Sequence, residues 1–292
     1  MRAGGIEISR DKKDMDKKTK DRPCNNSSGK GSIYIIGIGP GGLGHLTQSA
    51  REAFEACDTV VGYKTYIGLV SSLIKGKDVF STGMTQEVER CNKAIELAMS
   101  GKKVAVVSSG DSGIYGMAGL ALELLQKSEV RSQKSGEKDN SELRTPNSEL
   151  SVSIIPGVPA FCAAAGLLGA PLMHDFASIS LSDLLTPWET IKKRLEMAAE
   201  GDFVIILYNP KSKKRVSQLK EAIDIISTHR KHNTPVGIVK DATRKDEEAR
   251  VTVLGDISSH YDFIDMSTIL IIGNSTTFIT DGKMITPRGY SV

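Results

Sequence analysis

The stretch Ser32–Thr47, SIYIIGIGPGGLGHLT, constrains this chain more than any other. Its apolar run Ile33–Ile38, broken only by Gly37, is the pattern of a strand covered on both faces. The run leads into Gly37, Gly39 and Gly42, the spacing of a dinucleotide-binding turn, where glycines let the backbone approach a pyrophosphate. Two features oppose that reading. Pro40 fixes φ inside the turn and removes an N–H that a phosphate would use. The next strand, Asp58–Gly62, leads into Tyr63 and Lys64 and lacks the acid that a NAD site places about 20 residues beyond the glycines. Lys64 keeps an NADP-dependent oxidoreductase open as an alternative. The common methyltransferase fold, which also wants an acid there, is weakened by the same absence.

Apolar runs alternate with helical patterns along the rest of the chain. Ile33–Ile38, Thr59–Gly62, Val104–Ser108 and Val152–Ile155 read as strands. Gln48–Cys57, Gln86–Ser100 and Ile114–Gln126 read as helices, the second with Val88, Cys91, Ile95 and Met99 at helical spacing and Gly101 at its end. Such alternation predicts a parallel sheet covered on both faces. Between Lys127 and Leu150 the periodicity stops, so 127–150 reads as a charged, exposed loop insertion containing two NSEL echoes. From Gly157 onward, a small-residue helix Gly157–Gly169 precedes strands Phe176–Leu181, Phe203–Tyr208, Val236–Val239, Val251–Leu254 and Thr268–Ile272. Helical segments Trp188–Ala199 and Lys213–His229 separate some of them. The last two strands follow each other with little helix, which predicts an antiparallel component. The expectation is α/β: an N-terminal domain (31–156) on a parallel sheet, a C-terminal domain (157–292) on a mixed sheet, and the active-site cleft between them.

Charge and cysteine usage narrow the partners. Residues 1–30 carry nine Lys/Arg against five Asp/Glu, a surplus larger than the whole chain's +3, so the remainder is slightly acidic. Residues 1–30 therefore read as a basic, disordered tail, and the body gives no reason to expect nucleic acid. No run approaches the roughly 18 apolar residues of a membrane span, and the charged N-terminus is no signal peptide. Cys24, Cys57, Cys91 and Cys162 are scattered, which fits free thiols in a reducing cytoplasm and offers no metal site.

In open α/β sheets the ligand sits outside the carboxyl ends of the strands. Five of those ends are rich in Gly, Pro and small polar residues: GIGPGGLGHLT, SGDSGIYG, PGVPA, NPKSKKR and KDATR. Three of the loops, GIGPGG, SSGDSG and IIPGVPA, resemble in order the motifs of the tetrapyrrole methylase family, the S-adenosylmethionine-using enzymes of cobalamin and sirohaem synthesis. Tyr63–Val70, Gly83–Arg90, Ser108–Gly119, Ser180–Glu189, Leu207–Arg215, Gly273–Thr277 and Thr286–Tyr290 narrow the resemblance to the branch that methylates C-17 of a corrinoid precursor with ring contraction. It runs from about Ile33 to Tyr290. Ser112 stands where the family commonly has proline.

The resemblance implies a homodimer taking a small-molecule tetrapyrrole, with or without cobalt, and S-adenosylmethionine as methyl donor, with no metal held by the protein itself. A family methylase acting on another ring carbon is the nearest alternative; a binding module is a third class. Carried over by position, the donor meets Pro40, Gly110, Asp111, Ser112, Ile114, Pro159, Ala160, Asn209 and Gly237. Asp111 and Asn209 each have a second reading, as a loop cap and a turn residue. Gly39 and Gly41 are expected to clear space for the macrocycle. Lys211 and Arg215 are expected to hold its carboxylates, with Lys213, Lys214, Lys64, Lys240 and Arg244 behind them. His45 is the first candidate for a general base and His174 the second.

Overall fold

The computed structural model describes residues 31–134, 150–212 and 215–291. The basic tail and most of the expected insertion lie outside them, as do Lys213 and Lys214. The first sheet holds β1 (Ser32–Gly37), β2 (Thr59–Tyr63), β3 (Asp78–Thr82), β4 (Lys103–Ser108) and β5 (Ser151–Ile155). Its order is β3-β2-β4-β1-β5 and every pairing is parallel. Helices α1 (Gln48–Ala56) and α2 (Lys64–Leu69) cover one face, packing on Ile36, Val60 and Val107. Helices α3 (Glu87–Met99) and α4 (Ala118–Lys134) cover the other, over Ile33, Ile35, Val61 and Val106. Burial on both faces is why β1 reads as a continuous apolar run rather than an alternating one.

Local signals set the helix ends. Thr47 caps α1, its hydroxyl accepting from Ala50 N at 3.2 Å. Gly101, at φ 89°, ends α3: its N–H reaches Ala98 O and that of Lys102 reaches Leu97 O, satisfying carbonyls the helix leaves open. The helix α4 departs from expectation at both ends. It starts four residues late, because the chain bends through 114–117, with Tyr115 at φ 52°. It also runs eight residues into the expected loop insertion. Residues 127–134 contain no Gly or Pro, and Lys, Glu, Arg and Gln carry a helix without apolar periodicity.

The second sheet contains β7 (Phe176–Ser180), β8 (Val204–Tyr208), β9 (Pro235–Lys240), β10 (Glu248–Val253) and β11 (Thr268–Ile272), ordered β10-β9-β11-β8-β7. Strands β7 and β8 pair in parallel, while β11 runs antiparallel to both β8 and β9. The antiparallel component is present, but β10 and β11 do not pair: β9 lies between them. Helix α5 (Ala160–Leu168) packs on one face and α6 (Trp188–Glu200) with α7 (Ser217–Ser227) on the other. A small sheet of β6 (Gly169–Ala170), β12 (Phe278–Thr280) and β13 (Lys283–Ile285) escapes the sequence reading, as does β3. All four strands are short, and β3 and β12 are mostly exposed, so alternation has little to register.

In the first sheet the chain leaves β1 towards β2 but leaves β4 towards β5, crossing β1. Such a reversal of direction opens a crevice at the carboxyl ends of the two adjacent strands. Among the described residues, no helix is long and apolar enough to cross a membrane.

Candidate active site

Three loops of the first sheet are joined backbone to backbone at that crevice. Gly39 and Gly110 form an antiparallel bridge, Gly110 N donating to Gly39 O at 2.7 Å and Gly39 N to Gly110 O at 3.1 Å. A Cβ on Gly37 would lie 2.7 Å from Gly157 N, and one on Gly157 would lie 2.2 Å from Gly110 O. Neither position tolerates a side chain. Asp111 closes the arrangement, accepting from Gly113 N at 2.8 Å through one carboxylate oxygen and from Gly157 N at 3.0 Å through the other. The loop-capping role is thus realised and extended to a second loop, and each oxygen keeps acceptor capacity for a ligand.

Several predicted contacts move. Ser112 is 0% exposed; its hydroxyl points back under β1 to Ile35 O, and its carbonyl takes the N–H of Ala118 at the start of α4. Gly237 lies inside β9, where a Cβ would fall 2.2 Å from Leu168 Cδ1 and 2.9 Å from Met284 Sδ. It is a packing glycine. Gly39, Pro40 and Gly110 are themselves covered, whereas Asp111, Ile114, Pro159, Ala160 and Asn209 are partly open. Gly41 does not clear an open space: its missing side chain is replaced by Arg244, whose Cγ stands 2.4 Å from where a Cβ would be.

The second sheet meets this edge with side chains. Ile114, from the loop after β4, packs into the core between α5 and the second sheet. Tyr115 follows, donating to Ser178 O at 2.9 Å, its ring 5.0 Å from that of Tyr208. Pro159 and Ala160 start α5 beneath Gly110, and Phe161 N donates to the Tyr208 hydroxyl at 3.2 Å. Burial pushes the Tyr208 phenol up to about 12, so it stays neutral. Asn209 sits at φ 50° just past β8, with its side-chain amide on Ser180 Oγ at 2.9 Å.

Both cations expected to hold carboxylates are partly engaged by the protein itself. Arg215 is 8% exposed and donates to the carbonyl of Asn209, and burial pulls its pKa down. Lys211 donates to Tyr261 O at 2.7 Å. A helix-start Lys/Arg run reads as surface by composition; here two of its members turn inward to hold the loop. Lys240 pairs with Asp265 at 2.7 Å, and Lys64 is exposed at the start of α2. His45 ends the short 3-10 segment Leu43–His45 beside Gly39, with both ring nitrogens covered and making no hydrogen bond.

The other histidine candidate, His174, lies elsewhere. With Asp175, Asp202, Asn274 and Arg288 it lines a hollow of about 310 Å³. These residues precede β7 and β8 or follow the antiparallel β11, at the sheet edge opposite the loops above. The Gly273–Thr277 and Thr286–Tyr290 motifs gather there. Among the described residues, no group of three or more His, Cys, Asp or Glu is placed to hold a metal. The sequence reading missed Thr243, Tyr115 and Tyr208. The φ of 63° at β-branched Thr243 carries no sequence signal.

Comparison with known proteins places the chain among relatives. Residues 32–133 and 138–258 match the tetrapyrrole (corrin/porphyrin) methylases. A probable cobalt-factor III C(17)-methyltransferase of Salmonella typhimurium is 50% identical over 89% of this chain and the whole of that protein. A cobalt-factor III methyltransferase of Priestia megaterium is 48% identical over 89% of this chain, which spans 45% of that longer protein. A precorrin-3B C(17)-methyltransferase of Sinorhizobium is 36% identical over 89% of this chain and 98% of its own length. The crystal structure of the methyltransferase CobJ superposes with a TM-score of 0.78 at 31% identity, over 88% of this chain and all of that one.

Proposed function

This chain belongs to the tetrapyrrole methylase family, and from that premise we propose that it methylates C-17 of a corrinoid precursor in cobalamin biosynthesis, with cobalt-factor III as the substrate. It is a C-methyltransferase of the precorrin-3B C(17) type. The cobalt-bearing substrate is favoured because relatives named for it are 50% and 48% identical, against 36% for the precorrin-3B enzyme. The observation that carries the reading is the Gly39–Gly110 bridge, locked to Gly157 by Asp111 at the carboxyl ends of β1, β4 and β5.

The partly open residues at that edge fit S-adenosylmethionine. Asp111 has acceptor capacity for hydroxyl or amino groups, while Ile114, Pro159 and Ala160 offer an apolar surface. Asn209 completes the set; Ser112 and Gly237, both covered, leave it. Bound there, the donor supplies a methyl group from a positively charged sulfur, and that charge disappears as the methyl leaves. The chain therefore needs no strong counter-charge at the reacting atoms. Its residues bind, orient and exclude water, and rigid backbone contacts such as Gly157 on Gly110 suit that task. For the proton that ring contraction releases, we propose His45, whose ring nitrogens have no fixed partner. A homodimer belongs to the same proposal, as does a reducing cytoplasm, which the free thiols Cys57, Cys91 and Cys162 favour.

The test is incubation of the purified protein with S-adenosylmethionine and either cobalt-factor III or precorrin-3B, followed by mass spectrometry. One added methyl group on cobalt-factor III is expected. Methylation of precorrin-3B alone would reassign the substrate, and no methylated product from either would end the reading.

A further inference from the structure

A corrinoid precursor carries several carboxylates, and a fork of N–H donors held in place binds a carboxylate better than a mobile ammonium. The cations near the candidate site are mostly committed. Lys211 and Arg215 hold backbone carbonyls, Lys240 is paired with Asp265, and Arg51 donates to Leu43 O at 2.6 Å. Lys64 is exposed on a long stem that nothing fixes.

Arg244 differs from all of these. It lies in the turn after β9, and its Nε donates to Pro40 O at 2.9 Å across the two sheets. Its stem rests in the space that Gly41 leaves open. The turn is clasped to the same loop a second time, Gly42 N donating to Thr243 Oγ1 at 3.2 Å. Asp241 and Thr243 sit at φ 48° and 63°, backbone conformations that persist only where the surroundings impose them. One edge of the guanidinium is thereby fixed. The terminal nitrogens make no hydrogen bond among the described residues: NH1 forms a 3.6 Å ion pair with Asp241 Oδ1, beyond hydrogen-bond reach, and the side chain is 29% exposed. Of the two remaining acids of the turn, Glu247 is engaged with Thr243 N at 2.6 Å and Asp246 is exposed.

We propose that Arg244 receives a side-chain carboxylate of the corrinoid, with Pro40 and Gly41 holding its guanidinium ready for it. The proposal rests on the reading of a corrinoid substrate given above. It also accounts for the second glycine of GPGG, which makes room for an arginine stem rather than for a phosphate. Ordering of the side chain precedes binding, so the substrate does not have to supply it.

The test uses steady-state kinetics of the full-length enzyme with each substrate varied in turn, and calorimetry with S-adenosylhomocysteine. Arg244→Gln should raise the KM for cobalt-factor III about tenfold to a hundredfold, the loss expected for one charge-assisted contact. Its KM should also lose much of its dependence on ionic strength. Affinity for S-adenosylhomocysteine should stay within about twofold of wild type, and Arg244→Lys should recover part of the loss as a point charge. Gly41→Ala, which displaces the stem and keeps the charge, should raise the same KM by less. An unchanged corrinoid KM in Arg244→Gln overturns the proposal. So does a parallel fall in affinity for S-adenosylhomocysteine, which would make Arg244 a brace for the Pro40 loop alone. A wild-type enzyme that methylates no corrinoid sinks the preceding reading, and this one with it.

Discussion

At the edge of the first sheet, Gly37, Gly110 and Gly157 meet backbone to backbone, with one carboxylate, Asp111, holding the loops together. At the edge of the second, Lys211, Arg215 and Arg244 hold the loops with long side chains reaching backbone carbonyls, and the Asn209 amide donates to the Ser180 hydroxyl. The first edge is rigid because there is no room for anything else. The second is held by side chains instead: single hydrogen bonds from Lys211 and Arg215, and at Arg244 a stem seated against Gly41 in a turn clasped to the first edge. A small, invariant donor suits the former, and a large polyanionic substrate suits the latter.

Four substitutions would break or sharpen the contrast. The largest effect is expected at Gly157→Ala, whose Cβ would meet Gly110 O at 2.2 Å, so two loops must separate. A loss of about 3 kcal/mol or more in urea unfolding, with S-adenosylhomocysteine binding abolished, is the expected outcome. Gly44→Ala, with nothing within 4 Å, should stay within about 0.5 kcal/mol of wild type. Equal losses at both positions would show that the first edge is not close-packed.

A smaller loss, about 2 kcal/mol, is expected for Arg215→Ala, which leaves the carbonyl of Asn209 without its buried donor. Unlike Arg244→Gln, it should leave the salt dependence of the corrinoid KM intact. If the two variants behave alike, Arg215 reaches the substrate after all.

A smaller loss again is expected at Tyr208. Burial raises its phenol from 10.0 to about 12, so the fold opposes its ionisation. Stability from this group is complete below pH 10 and is lost as pH climbs towards 12. Tyr208→Phe should cost about 1 kcal/mol at neutral pH through the lost contact with Phe161 N. It should also flatten the alkaline limb of the stability profile; an unchanged limb in thermal melts would mean the phenol is not buried.

Much of this arrangement was legible in the sequence. Continuous apolar runs marked β1, β2 and β4, and Gly101 marked the end of α3, because burial on two faces and a left-handed cap each leave a local trace. Glycine- and proline-rich strand ends pointed to the family and to a candidate site. What failed were the orientations. Ser112 and Gly237 were placed at the donor because they stand in the right motifs, yet one lies under β1 and the other under Leu168. Arg215 sits in a basic run and is nonetheless buried. Loops have no period, so sequence spacing does not say which way a side chain turns.

By itself, the sequence determined which residue types arrive at the site, since a strand must end where its apolar run gives way to Gly, Pro and polar residues. Only the tertiary structure decided what each of them does there. Asp111 meets Gly157 across 46 positions, Ser112 meets Ile35 across 77, and Pro40 meets Arg244 across 204. The first two depend on the order of strands within one sheet and the third on how two sheets are set against each other, geometries that no local window of residues encodes.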